Sequence, residues 1–225
     1  MQRIFVIADS SSIHYGPHLE SCLRGKFTYN RKGGATANLD DGLGANGGDS
    51  QRVLAYLRER IEARDLAADV LVVNCGLHDI KMNPGATECQ VGLAEYQANL
   101  RAVVAEAGRH GLEFVWVRTT PIVDAIHNTR QPGFRRFNAD VDRYNAVADA
   151  VMAEAEVCSI DLHGFTTPFL PDAFVDHAHF REDVQRLQAA FIAGALEVLL
   201  SPAAIPQKEI AAKNSLRPTR SFTTT

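Results

Sequence analysis

Hydrophobic and polar positions along the chain follow two alternating rhythms. Short continuous apolar runs occupy residues 3–8, 69–75, 113–119 and, more weakly, 156–160. Val70-Leu71-Val72-Val73 and Phe114-Val115-Trp116-Val117 are representative. Such runs are rich in β-branched and aromatic side chains and too short for helices. Each therefore predicts a strand covered on both faces. A further strand is expected between residues 27 and 38, with ends that the pattern does not fix. Between the runs, apolar positions recur at helical spacing. Val53, Leu57 and Ile61 form one stripe. Leu93, Tyr96, Leu100, Val103, Val104 and Ala107 form a second, with Gly108 and Gly111 bracketing its stop. Phe137, Val141, Tyr144, Ala148, Val151 and Met152 form a third, and Val184, Leu187, Phe191 and Leu196 a fourth.

Buried strands alternating with helices predict a flavodoxin-like three-layer α/β/α sandwich. Its centre is a mostly parallel sheet of about five strands, joined by right-handed crossovers. The 225 residues suit one domain, expected over 1–200. From 201 to 225 the composition shifts to Pro, Lys, Arg and Thr and reads as a disordered tail. A hydrophobic share of 46% excludes a wholly disordered chain. The net charge of −4 gives no pull towards nucleic acid or anionic membrane. No apolar run reaches the length of a membrane span. Met1-Gln2-Arg3 leads straight into Ile4-Phe5-Val6-Ile7, too short for a secretory leader, so a cytoplasmic protein is expected. The four cysteines lack CxxC spacing, and Cys75 and Cys158 read as buried thiols.

In parallel sheets the functional crevice lies beyond the carboxyl ends of the strands. There the chain places Ala8-Asp9-Ser10, then Asn74-Cys75-Gly76-Leu77-His78-Asp79, Thr119-Thr120-Pro121 and Asp161-Leu162-His163. Asp176-His177-Ala178-His179 stands ahead of the last helical stripe. Singly, each fragment reads as a helix cap or a turn. Together they offer a serine hydroxyl, a histidine base and a carboxylate at one edge of one sheet. A hydroxyl needs a nearby base to become a nucleophile, and the base needs a carboxylate to fix its tautomer.

These blocks resemble those of the SGNH hydrolases, the GDSL esterase/lipase family, over roughly residues 3–200. Ala8-Asp9-Ser10 matches the family's Gly-Asp-Ser, with Ala8 in place of its glycine. Asn46-Gly47-Gly48-Asp49-Ser50 matches the second block, Gly48 being the best match to its glycine. Gly76-Leu77-His78-Asp79 matches Gly-x-Asn-Asp, with His78 in place of the asparagine. Asp176 to His179 matches the final Asp-x-x-His. The resemblance implies ester hydrolysis with Ser10 as nucleophile, His179 as base and Asp176 as its partner. It implies an oxyanion hole made by the backbone N–H groups of Ser10 and Gly48 and the side chain at position 78. It implies no cofactor and no metal. Asp9 reads as a local backbone-bonding residue rather than a catalyst.

Competing readings have weaker support. His177, His179, Asp176 and His163 offer metal-ligand types without a diagnostic spacing. Gly42-Leu43-Gly44-Ala45-Asn46-Gly47 has the letters of a dinucleotide loop but no strand directly before it. Cys75 has no histidine–asparagine signature beside it and reads as a core thiol. A non-catalytic binding protein on the same fold is the alternative class. An acyltransferase, thioesterase or lysophospholipase could use the same triad. The expected partner is a small-molecule or saccharide ester, with acetyl esters of carbohydrates first. The connection over residues 122–136 carries His127, Arg130, Arg135 and Arg136. It reads first as a solvated basic loop, and second as a site for a carboxylate or phosphate on the substrate.

Overall fold

The computed structural model describes residues 1–36 and 38–201, so the tail expected from 201 lies, beyond its first residue, outside the described residues. Five strands form one sheet in the order β2-β1-β3-β4-β5: β1 (Arg3–Ile7), β2 (Thr28–Arg31), β3 (Val70–Val73), β4 (Glu113–Val117) and β5 (Cys158–Ile160). Every pairing is parallel. The described residues form seven α-helices, α1 (Ser11–Leu23), α2 (Ser50–Glu62), α3 (Leu93–Arg109), α4 (Asp124–Arg130) and α5 (Asn138–Glu154) between strands, and α6 (Leu162–Thr166) and α7 (Glu182–Leu199) after β5.

Side chains alternate across a strand, so each apolar run feeds two cores. Ile4, Val6, Val70, Val72, Val115 and Val117 face one side, against Tyr15, Leu19 and Leu23 of α1 and Ala189, Ile192, Ala193 and Leu196 of α7. Phe5, Ile7, Leu71, Val73 and Trp116 face the other, against α2, α3 and α5. The expected three layers are therefore present. Order 2-1-3-4-5 puts a switch point between β1 and β3. The chain leaves β1 outward to β2 and returns to β3 on the other side. The crevice at this point opens between the segments that follow β1 and β3, which carry Ser10 and His78.

The structure corrects several expectations. Helix α1 lies where only a possible cap was read. Gly16 and Pro17 interrupt its pattern, and both sit inside the helix. Gly16 lets α1 approach β2, because a Cβ there would stand 3.0 Å from Tyr29 Oη. The stretch 122–136 is not a solvated loop. It contains α4, and His127 and Arg136 are buried at 0% and 2% exposure. Leu187 is exposed on α7, whose buried face runs instead through Val184, Gln188, Ile192 and Leu196. Cys158 is exposed, because β5 is an edge strand with only Ile160 turned fully inward. Cys75 is buried, and burial raises its thiol pKa, which disfavours the thiolate a nucleophile requires. Among the described residues no helix is long and apolar enough to cross a membrane.

Asp79 ties the segment after β3 to α2. Its Oδ1 accepts the Ser50 N–H at 2.9 Å, while its buried Oδ2 has no partner. Burial pushes its pKa up to about 7. The folded state thus holds a proton that the unfolded chain releases at the ordinary carboxylate pKa. Between the two pKa values the native state binds more protons, so stability falls as pH rises from about 4 to about 7. Buried Asp9, also raised by desolvation, contributes in the same direction. Asp79→Asn should raise the melting temperature at pH 7.5 by several degrees and change it little at pH 4.5. An equal shift at both pH values would contradict a proton on Asp79.

Candidate active site

Strand β1 runs into Ala8 and Asp9, and Asp9 Oδ1 accepts the Ser11 N–H at 3.0 Å. This local bond turns the chain into α1, the backbone role expected for Asp9. Ser10 occupies the N-cap position of α1, yet its side chain makes no capping bond. The Ser10 hydroxyl points across the sheet edge and donates to His179 Nε2 at 2.8 Å. His179 Nδ1 lies 2.7 Å from Asp176 Oδ2. Donation of Nδ1–H to the carboxylate leaves Nε2 free to accept the serine proton, the tautomer a base requires.

The loop carrying Asp176 and His179 has its own support. Phe174 and Phe180 bridge as a short antiparallel ladder, and their rings stack at 5.0 Å. Asp176 Oδ1 accepts the N–H groups of Ala178 at 2.9 Å and His179 at 2.8 Å. Arg130 Nη1 donates to the Asp176 carbonyl at 2.8 Å. Burial alone would raise the Asp176 pKa. The bonds from the His179 ring and the two backbone N–H groups outweigh it and hold the carboxyl well below the usual range. Asp176 is not a cap of α7, whose N-cap is Arg181.

Opposite this loop, Asn46 organises the turn before α2. Its Oδ1 accepts the Gly48 N–H at 2.9 Å, and its Nδ2 donates to Leu39 O at 2.7 Å. The same amide stands 3.1 Å from His78 Nε2. That pairing makes Nε2 an acceptor and puts the ring proton on Nδ1. Burial, reinforced by Arg136 and Lys81, pushes His78 down to about 3, so the ring is neutral at physiological pH. Gly48 has φ +74°, and a Cβ there would stand 2.7 Å from Arg52 Cδ. Gly76 has φ +151°, and a side chain there would run into Thr119 Oγ1, which itself bonds Cys75 O. The Ser10 N–H has no acceptor among the described residues.

Beside these residues lies a polar cleft of about 400 Å³, lined in part by Asp40, Asp49, Arg52, His78, Lys81 and Phe134. Asp40 is anchored to the His179 side. Its Oδ1 lies 3.1 Å from His177 Nε2, and Gln131 Nε2 donates to Oδ2 at 2.6 Å. His177 Nδ1 in turn meets His127 Nδ1 at 3.1 Å. Asp40 and Lys81 were missed in the sequence because neither belongs to a local pattern. Asn46 lay inside the second block without a role. The three arginines of the 122–136 stretch separate. Arg130 supports the Asp176 loop, Arg135 is exposed beyond the cleft, and Arg136 is buried beside it. The metal-ligand types also separate. Asp176, His177 and His179 have ligand atoms within 4.8 Å of one another. His163 instead bonds Thr119 O and Asn145.

The family model for "GDSL-like Lipase/Acylhydrolase family" matches residues 9–192. The chain belongs to this family. GDSL-like acylhydrolases act on esters, and that coarse class extends to this member. No curated protein matches the sequence significantly. Solved structures share the fold at low identity. A lipase/acylhydrolase from Enterococcus faecalis superposes with a TM-score of 0.67 at 17% identity, covering 88% of this chain and 96% of that one. An acetyl xylan esterase superposes at 0.64 and 12% identity, covering 86% and 99%. A variant of an acetyl xylan esterase from Geobacillus stearothermophilus superposes at 0.61 and 16% identity, covering 84% and 91%. At these identities the likeness of this GDSL-like acylhydrolase to its neighbours is one of fold.

Proposed function

We propose that the chain is a serine esterase, with residues 1–200 as its catalytic domain, that removes short acyl groups, acetyl first, from carbohydrate esters. The observation that carries this reading is the continuous line Ser10 Oγ–His179 Nε2–Nδ1–Asp176 Oδ2, with links of 2.8 and 2.7 Å. His179 takes the Ser10 proton as Oγ attacks the acyl carbon. The carbonyl π pair moves to oxygen, and the tetrahedral intermediate collapses with loss of the alcohol, which takes the proton from His179. Water, deprotonated by the same imidazole, then attacks the acyl-enzyme and releases the acid. The acetyl xylan esterases among the structural neighbours favour acetyl groups on saccharides. The polar cleft with one aromatic wall suits a hydroxyl-rich alcohol portion better than a lipid chain.

The oxyanion is assigned to the N–H of Ser10, which has no other acceptor among the described residues, and to Nδ1–H of His78, with Gly48 N–H shared between Asn46 and substrate. Each such donor is worth about 10²–10³-fold in turnover. His78→Ala should fall in that range, whereas His78→Asn restores an amide donor and keeps most activity. Equal kcat in wild type and both variants would remove His78 from the oxyanion hole.

The test is hydrolysis of p-nitrophenyl acetate and longer p-nitrophenyl esters, with intact mass read after an organophosphonate. Turnover that falls with acyl length, together with a single phosphonyl adduct, is expected. Folded protein that gives neither would overturn the reading.

A further inference from the structure

Beside His78, Lys81 lines the cleft and Arg136 is buried next to it, and neither cation forms an ion pair among the described residues. Arg136 is 2% exposed, its Nε is buried without a partner, and its guanidinium makes no ion pair or hydrogen bond among the described residues. Its Cζ lies over the Phe134 ring, 4.7 Å from the centroid. Lys81 Nζ stands over the same ring at 4.3 Å and likewise forms no ion pair. Burial lowers the pKa of Lys81 and of His78, and the charge of Arg136 lowers both further. A guanidinium buried without a hydrogen-bonded counter-charge is costly to the fold, and perturbed charged groups of this kind cluster at functional sites.

Asp40 and Asp9 act on Arg136 electrostatically without pairing with it, and Asp9 Oδ1 accepts the Ser11 N–H. Asp40 accepts from His177 and Gln131, and Asp49 accepts from the Arg52 N–H and from Gln90. Asp41 faces the same cleft and acts on Lys81 electrostatically without pairing with it. Two donors of different shape therefore stand against one ring, next to the third block of the site. The flat guanidinium presents parallel N–H groups, and the ammonium presents a point charge. Asp40 and Asp41 keep the surroundings negative enough to disfavour a dianion such as phosphate.

We propose that Arg136 and Lys81 form a subsite for a single carboxylate on the alcohol portion of the ester, so that the preferred substrate is an acylated acidic saccharide such as a uronate. The assignment rests on the esterase reading of Ser10 and deepens it. Arg130 and Arg135 have no part in it.

The test is binding of the methyl O-glycoside of glucuronic acid, its carboxylate free, against the corresponding neutral uronamide, by calorimetry on the whole chain. Binding does not require turnover, so it stands apart from the p-nitrophenyl acetate assay, whose failure would count against the esterase reading alone. The acid should bind about tenfold more tightly than the amide, as a charge-assisted contact predicts. The preference should weaken as salt rises. Lys81→Gln, at a half-buried position that tolerates the change, should remove most of the difference. Arg136→Lys should retain part of it by keeping the charge while losing the fork. For acetylated acid and amide substrates, the same preference should appear in KM rather than kcat. Equal affinity for acid and amide in the wild type, or a preference untouched by Lys81→Gln, would overturn the subsite.

Discussion

Ser10→Ala should lower kcat for p-nitrophenyl acetate by on the order of 10⁵–10⁶-fold, with no loss of melting temperature. The size follows from the role. Without Oγ there is no acyl-enzyme, and only binding and the oxyanion donors remain to assist water. The stability half of the expectation follows from the geometry. Ser10 does not cap α1, and Asp9 and the Ser12 hydroxyl close the first turn without it. Loss of its hydroxyl costs one bond to His179 and opens little space. Phosphonate labelling should vanish in the same variant. Residual turnover within tenfold of wild type would place the nucleophile elsewhere.

Asp176→Asn should cost about 10⁴-fold in kcat. An amide at this position presents N–H where the His179 ring presents its own, unless it flips. Flipping would sacrifice an acceptor for the two backbone N–H groups of Ala178 and His179. The unflipped arrangement, which keeps the acceptor for both backbone N–H groups, is therefore favoured, and it selects the tautomer with its proton on Nε2, where it cannot accept from Ser10. The carboxyl is held well below its usual pKa, so its protonation does not limit activity on the acid side. The variant should therefore be slow at every pH tested rather than shifted in its profile. A rate recovered at alkaline pH to near the wild-type value would argue against tautomer control.

Most of the sheet was legible because its strands are continuous apolar runs, which admit one structure in a chain of this length. The helices that escaped notice are those whose cause is not periodic. Helix α1 contains Gly16 and Pro17, and its place depends on close approach to Tyr29 of β2. Helix α4 is short, and its buried His127 is held by His177, fifty residues away. The blocks carrying Ser10, Gly48, His78, Asp176 and His179 were visible as motifs, and the fold explains why they meet. Those of Ser10 and His78 follow the strands at the switch point, that of Gly48 precedes α2, and that of Asp176 and His179 precedes the last helix. What no motif could show is the pairing around them. Asn46 fixes the ring proton of His78, and Asp40 reaches His177 from a loop with no signature. Basic residues within seven positions of one another in sequence serve three different ends, and only burial distinguishes Arg136 from Arg130 and Arg135.

The nucleophile and its base come from positions 169 residues apart, each just ahead of a helix. Those helices, α1 and α7, lie side by side through Tyr15, Leu19, Ala189, Ile192 and Ala193. The seam between them thus behaves as the hinge-pin of a caliper whose jaws are Ser10 and His179. Enlarging an alanine in that seam would widen or skew the jaws from a distance. In a library screened for rate, substitutions at Ala189 or Ala193 would surface among the strongest hits, although neither residue touches a substrate.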